Sequence, residues 1–320
     1  LNAITYYVAF PDGGPPIEFH ATDDAGLALC RALSSSRVTC VRGDGCCDQS
    51  RMSALEFFER ILLFGLQTAH KVLVSTGLPV LLLDADALVL RPACFDEWLS
   101  FDEDVVAQVG GCPLCTPHAC EILGSAFNTG AILFKPRSAI LLDQVVGKYN
   151  AWNANNRTGH LFLKTCYNQE LFNEELLLHR PRWLSFPNIL SIDMRRVKTS
   201  PHALIEGGEL HREVHHVLSP RNATVTLRLL ANDRWPIGLD ATVYVQNRPR
   251  PFPTPGSENV THVFKKRLPK YGAIQGVPLM MHNGTCIVHA AGGPKDVSPW
   301  VERGLWRLPL PNGTLLCDDF

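Results

Sequence analysis

The stretch Leu81-Leu82-Leu83-Asp84-Ala85-Asp86-Ala87-Leu88-Val89-Leu90 constrains this chain more than any other, because it is apolar throughout except for two carboxylates one residue apart. Ser53 to Thr76 ahead of it reads as a helix, with Ser53 as cap and Glu56 three residues on completing a capping box. Gly77 stops that helix and Pro79 starts the next element. Val80 to Leu83 has no polar face, so it reads as a central strand buried on both sides. Carboxylates at the carboxyl end of such a strand lie where open α/β sheets bind ligands. Two like charges there repel and are costly to desolvate, and the usual remedy is a hard divalent cation shared with the phosphates of a substrate. Taken alone, the motif also fits a strand end carrying two solvated aspartates.

The rest of the chain alternates strands and helices, which makes the class α/β. Ile4 to Phe10 reads as a first strand ending in the turn Pro11-Asp12-Gly13-Gly14, Asp23 to Leu33 as a helix capped by Thr22 or Asp23, and Val38 to Val41 as a second strand. Phe95 to Leu99 reads as a helical turn after Arg91-Pro92, and Val105 to Val109 as a strand. Ala126 to Phe134 is a polar Asn-Thr-Gly corner feeding a buried strand, with a helix from Ser138 to Asn150 after Pro136. A further helix opens at Asn168 and runs to about Leu178. Leu184 to Ile192, Ala223 to Leu230 and Ala241 to Gln246 are strand-like. His211 and His215 have helical spacing and read as a solvated face. With no repeats and no long linker, residues 1–320 are expected to form one domain.

Composition narrows the compartment. A net charge of -1 argues against nucleic acid as a partner, and no apolar run reaches the ~18 residues of a membrane span. The chain carries 11 cysteines and sequons at Asn156, Asn222, Asn259, Asn283 and Asn312. Together these predict an oxidising lumen. Residue 1 is Leu, which suggests a trimmed chain whose full-length form carries the membrane anchor absent here. Cys112, Cys115, His118 and Cys120 could ligate zinc, but in such a lumen a disulfide-stapled loop is the favoured reading.

The second half of a site lies far downstream. Cys286-Ile287-Val288-His289 reads as a strand ending in histidine, followed by Gly292 and Lys295 at spacings of three. An imidazole at a strand end can ligate a metal, a glycine lets backbone approach a phosphate, and a lysine supplies a point charge for a diphosphate. Joined to a strand-end Asp-x-Asp, the pattern completes a metal-diphosphate site.

These residues carry a resemblance. The chain resembles the GT-A glycosyltransferases of the nucleotide-diphospho-sugar transferase group, closest to glycosyltransferase family 77 and related in plan to family 8. Four blocks match in order: Leu82-Leu83-Asp84-Ala85-Asp86, Phe127-Asn128-Thr129-Gly130, Asn168-Gln169-x-x-Phe172-Asn173, and His289-x-x-Gly292-x-x-Lys295 followed by Gly304-Leu305-Trp306. The resemblance implies a Rossmann-like fold with a mixed, mostly parallel sheet flanked by helices, about residues 1–100 forming the nucleotide and metal half and 101–320 the donor-sugar and acceptor half. It implies that Asp84, Asp86 and His289 hold Mn²⁺ or Mg²⁺, and that Asp84 also touches the donor. Gly292 and Lys295 would bind the diphosphate, and Ala9, Phe10 and Asp12 would face the base. Lys71 matches a basic position near the donor. Asn128 and Gly130 would line the sugar pocket, and Gln169 would lie under the anomeric carbon. Asn168 stands where the family usually has Asp, a loss of charge that bears on donor choice.

The implied reaction is retaining transfer from a nucleotide-diphosphate donor, by resemblance a UDP-sugar, to a hydroxyl of a glycan or glycoprotein in the Golgi or another secretory lumen. Two other readings compete. Haloacid-dehalogenase phosphatases also place Asp-x-Asp after an apolar strand, but they need a later lysine and acidic pair, and Asp318-Asp319 has no strand before it. A non-catalytic lumenal glycan-binding protein on the same fold would explain Asn168.

Overall fold

The computed structural model describes residues 14–33, 36–43, 54–110, 126–154, 167–179, 182–185, 189–194, 196–199, 203–206, 209–212, 215–218, 223–230 and 286–289. The expected strands at Ile4–Phe10 and Ala241–Gln246, the cysteine loop at 112–120 and the sequons lie outside these residues.

The chain first forms a βαβ unit from β1 (Ile17–Ala21), α1 (Asp24–Leu33) and β2 (Val38–Arg42). The strands are parallel, Ile17 opposite Val38 and Ala21 opposite Arg42. Asp23 caps α1, accepting a hydrogen bond from the Gly26 N–H at 2.6 Å, which satisfies one of the four orphan amides of the first turn. Helix α1 buries Leu27 and Cys30, and a Cys30–Cys40 disulfide fastens it to β2. β1 is a strand that the sequence reading passed over.

Helix α2 (Ala54–Thr76) buries Leu63, Leu66, Ala69 and Leu73, a spacing of three and four that sets one stripe against the sheet. It stops at Gly77, whose φ of 66° is the left-handed conformation that glycine adopts without penalty. Next come β3 (Val80–Leu83), β4 (Ala87–Val89), α3 (Ala93–Ser100), β5 (Val105–Gly110), β6 (Ala126–Phe134), α4 (Ala139–Ala154) and α5 (Tyr167–Leu178). Then follow β7 (Arg182–Ser185), β8 (Ile189–Asp193), β9 (Arg196–Thr199), β10 (Ala203–Glu206), β11 (Glu209–Arg212), β12 (His215–Leu218), β13 (Thr224–Leu230) and β14 (Ile287–His289).

The main sheet has the order β3-β6-β5-β13-β8-β7. The expectation of a mostly parallel sheet is corrected: among the described residues only β13–β5 is parallel in this sheet, and its other pairs are antiparallel. The reason is β6, which inserts between β3 and β5 and runs against both. β7 and β8 are likewise a hairpin rather than the single strand expected around Pro187. Parallel neighbours need a crossover of a dozen residues or more, which α1 supplies in the βαβ unit and short connections do not. The histidines expected on a helical face are also corrected, since His211 lies in β11, paired with β10, and His215 in β12, paired with β9.

Both faces of the main sheet are covered. One carries α2, α4 and α5 over Ile132 and Phe134 of β6, Val105 of β5 and Val225 of β13. The other carries β4, β14 and α3 over Ala131, Leu133 and Val106. This explains the unbroken apolar run of β3. Leu82 packs with the first cluster and Leu81 and Leu83 with the second, so neither face tolerates a polar residue. β3 is nonetheless not the central strand. Its residues are half-buried, and among the described residues its one ladder partner is β6, all of whose residues are buried. Fully burying each large aliphatic side chain contributes about 2 kcal/mol, so α2's stripe adds to the stability of the first cluster. Among the described residues no helix is long and apolar enough to cross a membrane.

Candidate functional site

Asp84, Ala85 and Asp86 form the turn between β3 and β4. The Ala87 N–H donates to the Asp84 carbonyl at 2.9 Å, closing a four-residue β-turn that contains the whole Asp-x-Asp motif. Asp84 and Asp86 are half-buried and Ala85 is exposed. The Asp84 N–H donates to the Gly130 carbonyl at 2.8 Å, which fixes the turn to β6 just past the end of the β3 ladder at Leu83–Ala131.

Gly130 also ties the turn to Asn128, whose Oδ1 accepts from the Gly130 N–H at 2.8 Å. Asn128 is buried, and with its oxygen turned to its own backbone the part of the amide suited to a ligand is the NH₂ donor. The expected polar corner is therefore a stretch of fully buried strand in which the Asn128 side-chain oxygen is satisfied locally.

Helix α5 docks beside this strand through Asn173. The Asn173 Oδ1 accepts from the Phe127 N–H at 2.7 Å, and its Nδ2 donates to the Phe127 carbonyl at 2.8 Å and to the Gln169 carbonyl at 2.7 Å. The Phe172 ring meets Phe127 and Phe134 edge-on, each at 6.0 Å between centroids. Asn168 and Gln169 open the helix, both buried, with the Gln169 N–H donating to the Asn168 Oδ1 at 2.8 Å.

The fourth block arrives by strand pairing. β14 runs antiparallel to β4 with Ile287 opposite Val89, Val288 opposite Leu88 and His289 opposite Ala87. His289 thus stands across the ladder from the residue that follows Asp86, at the ~5 Å Cα separation of directly opposed antiparallel residues. The Leu90 N–H donates to the Cys286 carbonyl at 2.9 Å, and a Cys94–Cys286 disulfide joins α3 to the foot of β14.

Residues far apart in sequence are in this way drawn together: Asp84, Asp86, Asn128, Gly130, Asn168, Gln169 and the His289 backbone. Lys71 is not gathered with them. It is exposed on the side of α2 away from the stripe of Leu66, Ala69 and Leu73, and lies six residues beyond Gly65, which faces Leu82. Ala9, Phe10, Asp12, Gly292 and Lys295 lie outside the described residues, as does the His289 side chain. Among the described residues no group of three His, Cys, Asp or Glu forms a metal site. Carboxylate and imidazole are nonetheless residue types that can ligate Mn²⁺ or Mg²⁺.

Two elements of the site carried no assigned role in sequence. One is Asn173, present in a motif block but given no function there. The other is the Cys94–Cys286 link, for which the available signal was the placement of each cysteine within a few residues of a motif.

The opposite end of the sheet carries a part-buried, two-hydrogen-bond ion pair. Glu103 accepts two hydrogen bonds at 2.8 Å from Arg228, which also lies over the Phe101 ring at 4.6 Å. Burial pushes the Glu103 pKa up, but the hydrogen bonds from Arg228 and the backbone and the charges of Arg228 and Lys135 outweigh it, leaving the carboxyl below its ordinary value.

No protein-family model, curated protein or solved structure matches the chain.

Proposed function

We propose that this protein is a metal-dependent, retaining GT-A glycosyltransferase that moves a sugar from a nucleotide-diphosphate donor, UDP-linked by resemblance, to a hydroxyl of a glycan or glycoprotein in a secretory lumen. The observation that carries the reading is the β4–β14 register, with His289 opposite Ala87 across the ladder next to the Asp84–Asp86 turn. More than two hundred residues separate these motifs. Their meeting is what a site assembled from both motifs requires and what two unrelated strand ends do not. The disulfides Cys30–Cys40 and Cys94–Cys286 support an oxidising compartment.

In this reading Asp84, Asp86 and His289 hold Mn²⁺ or Mg²⁺, which supplies Lewis-acid charge at the diphosphate leaving group. Lys295 adds a second positive charge there, and Gly292 lets backbone approach the phosphates. The NH₂ of Asn128 donates to a sugar hydroxyl, and the Gln169 amide lies under the anomeric carbon. Gln169 cannot serve as a carboxylate nucleophile. The acceptor hydroxyl therefore attacks from the face the diphosphate leaves, giving its proton to the departing phosphate oxygen, and the donor configuration is kept.

The test is thermal shift with a nucleotide panel, with and without Mn²⁺. A ligand present well above its Kd stabilises by a few kcal/mol through mass action. Stabilisation by UDP only with Mn²⁺, lost in Asp86→Ala and in His289→Ala, is the expected result. No response to any nucleotide under any metal sinks the reading and turns attention to phosphatase substrates and glycan arrays.

A further inference from the structure

The ladder that brings His289 to the carboxylate turn is short: three residue pairs between β4 and β14, with the Leu90–Cys286 hydrogen bond at its end. Among the described residues β4 is the sole ladder partner of β14. A two-stranded pairing of this length is marginal by itself in water. The support comes from α3. Phe95 and Trp98 of that helix are buried in the cluster that also holds Leu88, Val89 and Ile287, and Cys94 in the helix's first turn is bonded to Cys286. The sequence separation across that bond is 192 residues, so it joins the downstream motif covalently to α3, the helix that follows β4.

We propose that the Cys94–Cys286 disulfide is a positioning element of the metal-diphosphate site: it holds His289 beside Asp84 and Asp86, and breaking it lowers the affinity for a metal-bound nucleotide diphosphate. This rests on the glycosyltransferase reading. Neither cysteine is a catalytic residue, since each acts through the strand that carries His289. Cys30–Cys40 fastens α1 to β2, in a βαβ unit whose ladder is separate from the main sheet, and serves as the internal control. In the test a dithiol reductant supplies two electrons and two protons. The S–S bond breaks to two thiols, and the reductant closes to its own cyclic disulfide.

The experiment is titration calorimetry of UDP with Mn²⁺ into wild type, the Cys94→Ser/Cys286→Ser variant, the Cys30→Ser/Cys40→Ser variant and His289→Ala. Groups that orient metal ligands typically govern affinity by about ten- to a hundredfold. That loss is expected in the first double variant, with less than about a threefold change in the second. Unchanged affinity in Cys94→Ser/Cys286→Ser, alongside a loss in His289→Ala, overturns the positioning role and leaves the glycosyltransferase reading standing. A wild type that does not bind UDP with Mn²⁺ overturns both.

A second measurement covers a variant that fails to fold. Wild type is equilibrated in graded dithiothreitol, with and without saturating UDP and Mn²⁺, and its free thiols are alkylated and mapped by mass spectrometry. By reciprocity of linkage, bound ligand must protect Cys94–Cys286 from reduction by the factor that the disulfide adds to affinity. Protection of that bond and not of Cys30–Cys40 is expected. Protection of both alike, or of neither, overturns the proposal.

Discussion

The side-chain amide of Asn173 takes both backbone polar groups of Phe127, at 2.7 and 2.8 Å, in the way a neighbouring strand would. β3 pairs with β6 only from Ala131 to Phe134, so beside Phe127 that ladder has ended, and Asn173 stands in for the missing strand residue. The bonds connect two parts of the candidate site, because Asn128 follows Phe127 and the same amide holds the Gln169 carbonyl.

Asn173→Asp keeps an acceptor for the Phe127 N–H but loses both donations, and it buries a carboxylate against two carbonyl oxygens. Each buried polar group left unpaired costs about 1–3 kcal/mol. The expected destabilisation is about 3 kcal/mol in urea denaturation with an unchanged m-value. A variant within about 0.5 kcal/mol of wild type means that the clamp contributes nothing.

The same substitution at two glycines should act with opposite signs. Gly77 has φ 66° and donates its N–H to the Leu73 carbonyl at 3.0 Å, so Gly77→Ala forces a side chain into the left-handed region and costs about 1–2 kcal/mol. Gly65 lies inside α2, where an added Cβ would meet Leu82 Cδ1 at 3.4 Å, an ordinary contact. Gly65→Ala should therefore stabilise by roughly 0.5–1 kcal/mol through helix propensity. Thermal melts of the two variants check this, and a shift in the same direction for both contradicts the assignment of either site.

The Glu103–Arg228 pair sets an acid limb to stability. Burial alone would raise the Glu103 pKa, but the bonds and charges from Arg228 and the charge of Lys135 bring it below the ordinary 4.5. A carboxyl with a depressed folded pKa contributes stability above its unfolded pKa, and loses it as pH falls through the folded value. Glu103→Gln should be less stable than wild type at neutral pH, and the gap should shrink below pH ~4.5. A gap that stays constant down to pH ~2 would show that the charge of Glu103 does not matter to the fold.

What was legible in the sequence follows from local physics. The continuous apolar run marked β3, the helical pattern that Gly77 ends after Thr76 marked α2, and Asp23 marked the start of α1. Of the site, the turn carboxylates and the strand ending at His289 could be read for the same reason. Strand direction could not, because an apolar run packs equally well parallel or antiparallel, and β6 decides the matter by inserting between β3 and β5. β1 was hidden because Ile17-Glu18-Phe19-His20 follows two prolines and carries polar side chains. His211 and His215 misled because a spacing of four fits one face of either a helix or an extended chain. The partnership of Cys94 with Cys286 spans 192 residues and belongs to tertiary structure alone.

Gln169 bears on the proposed chemistry most directly. It is buried at the start of α5, with its backbone carbonyl held by Asn173 and its N–H by the Asn168 side chain, so the main chain on both sides is fixed. If its amide faces the anomeric carbon, it stabilises charge that develops only as the glycosidic bond breaks. Gln169→Ala should then lower kcat by about a hundredfold, with the Kd for UDP in Mn²⁺ changed by less than about threefold. Gln169→Glu puts a carboxylate within reach of the same carbon, and a glycosyl ester on residue 169 should become trappable in that variant alone. Intact-mass and peptide spectrometry after incubation with donor reads both cases. A glycosylated carboxylate near residue 169 in the unmodified protein would show that transfer proceeds by double displacement, and that attack from the leaving-group face is the wrong mechanism for this site.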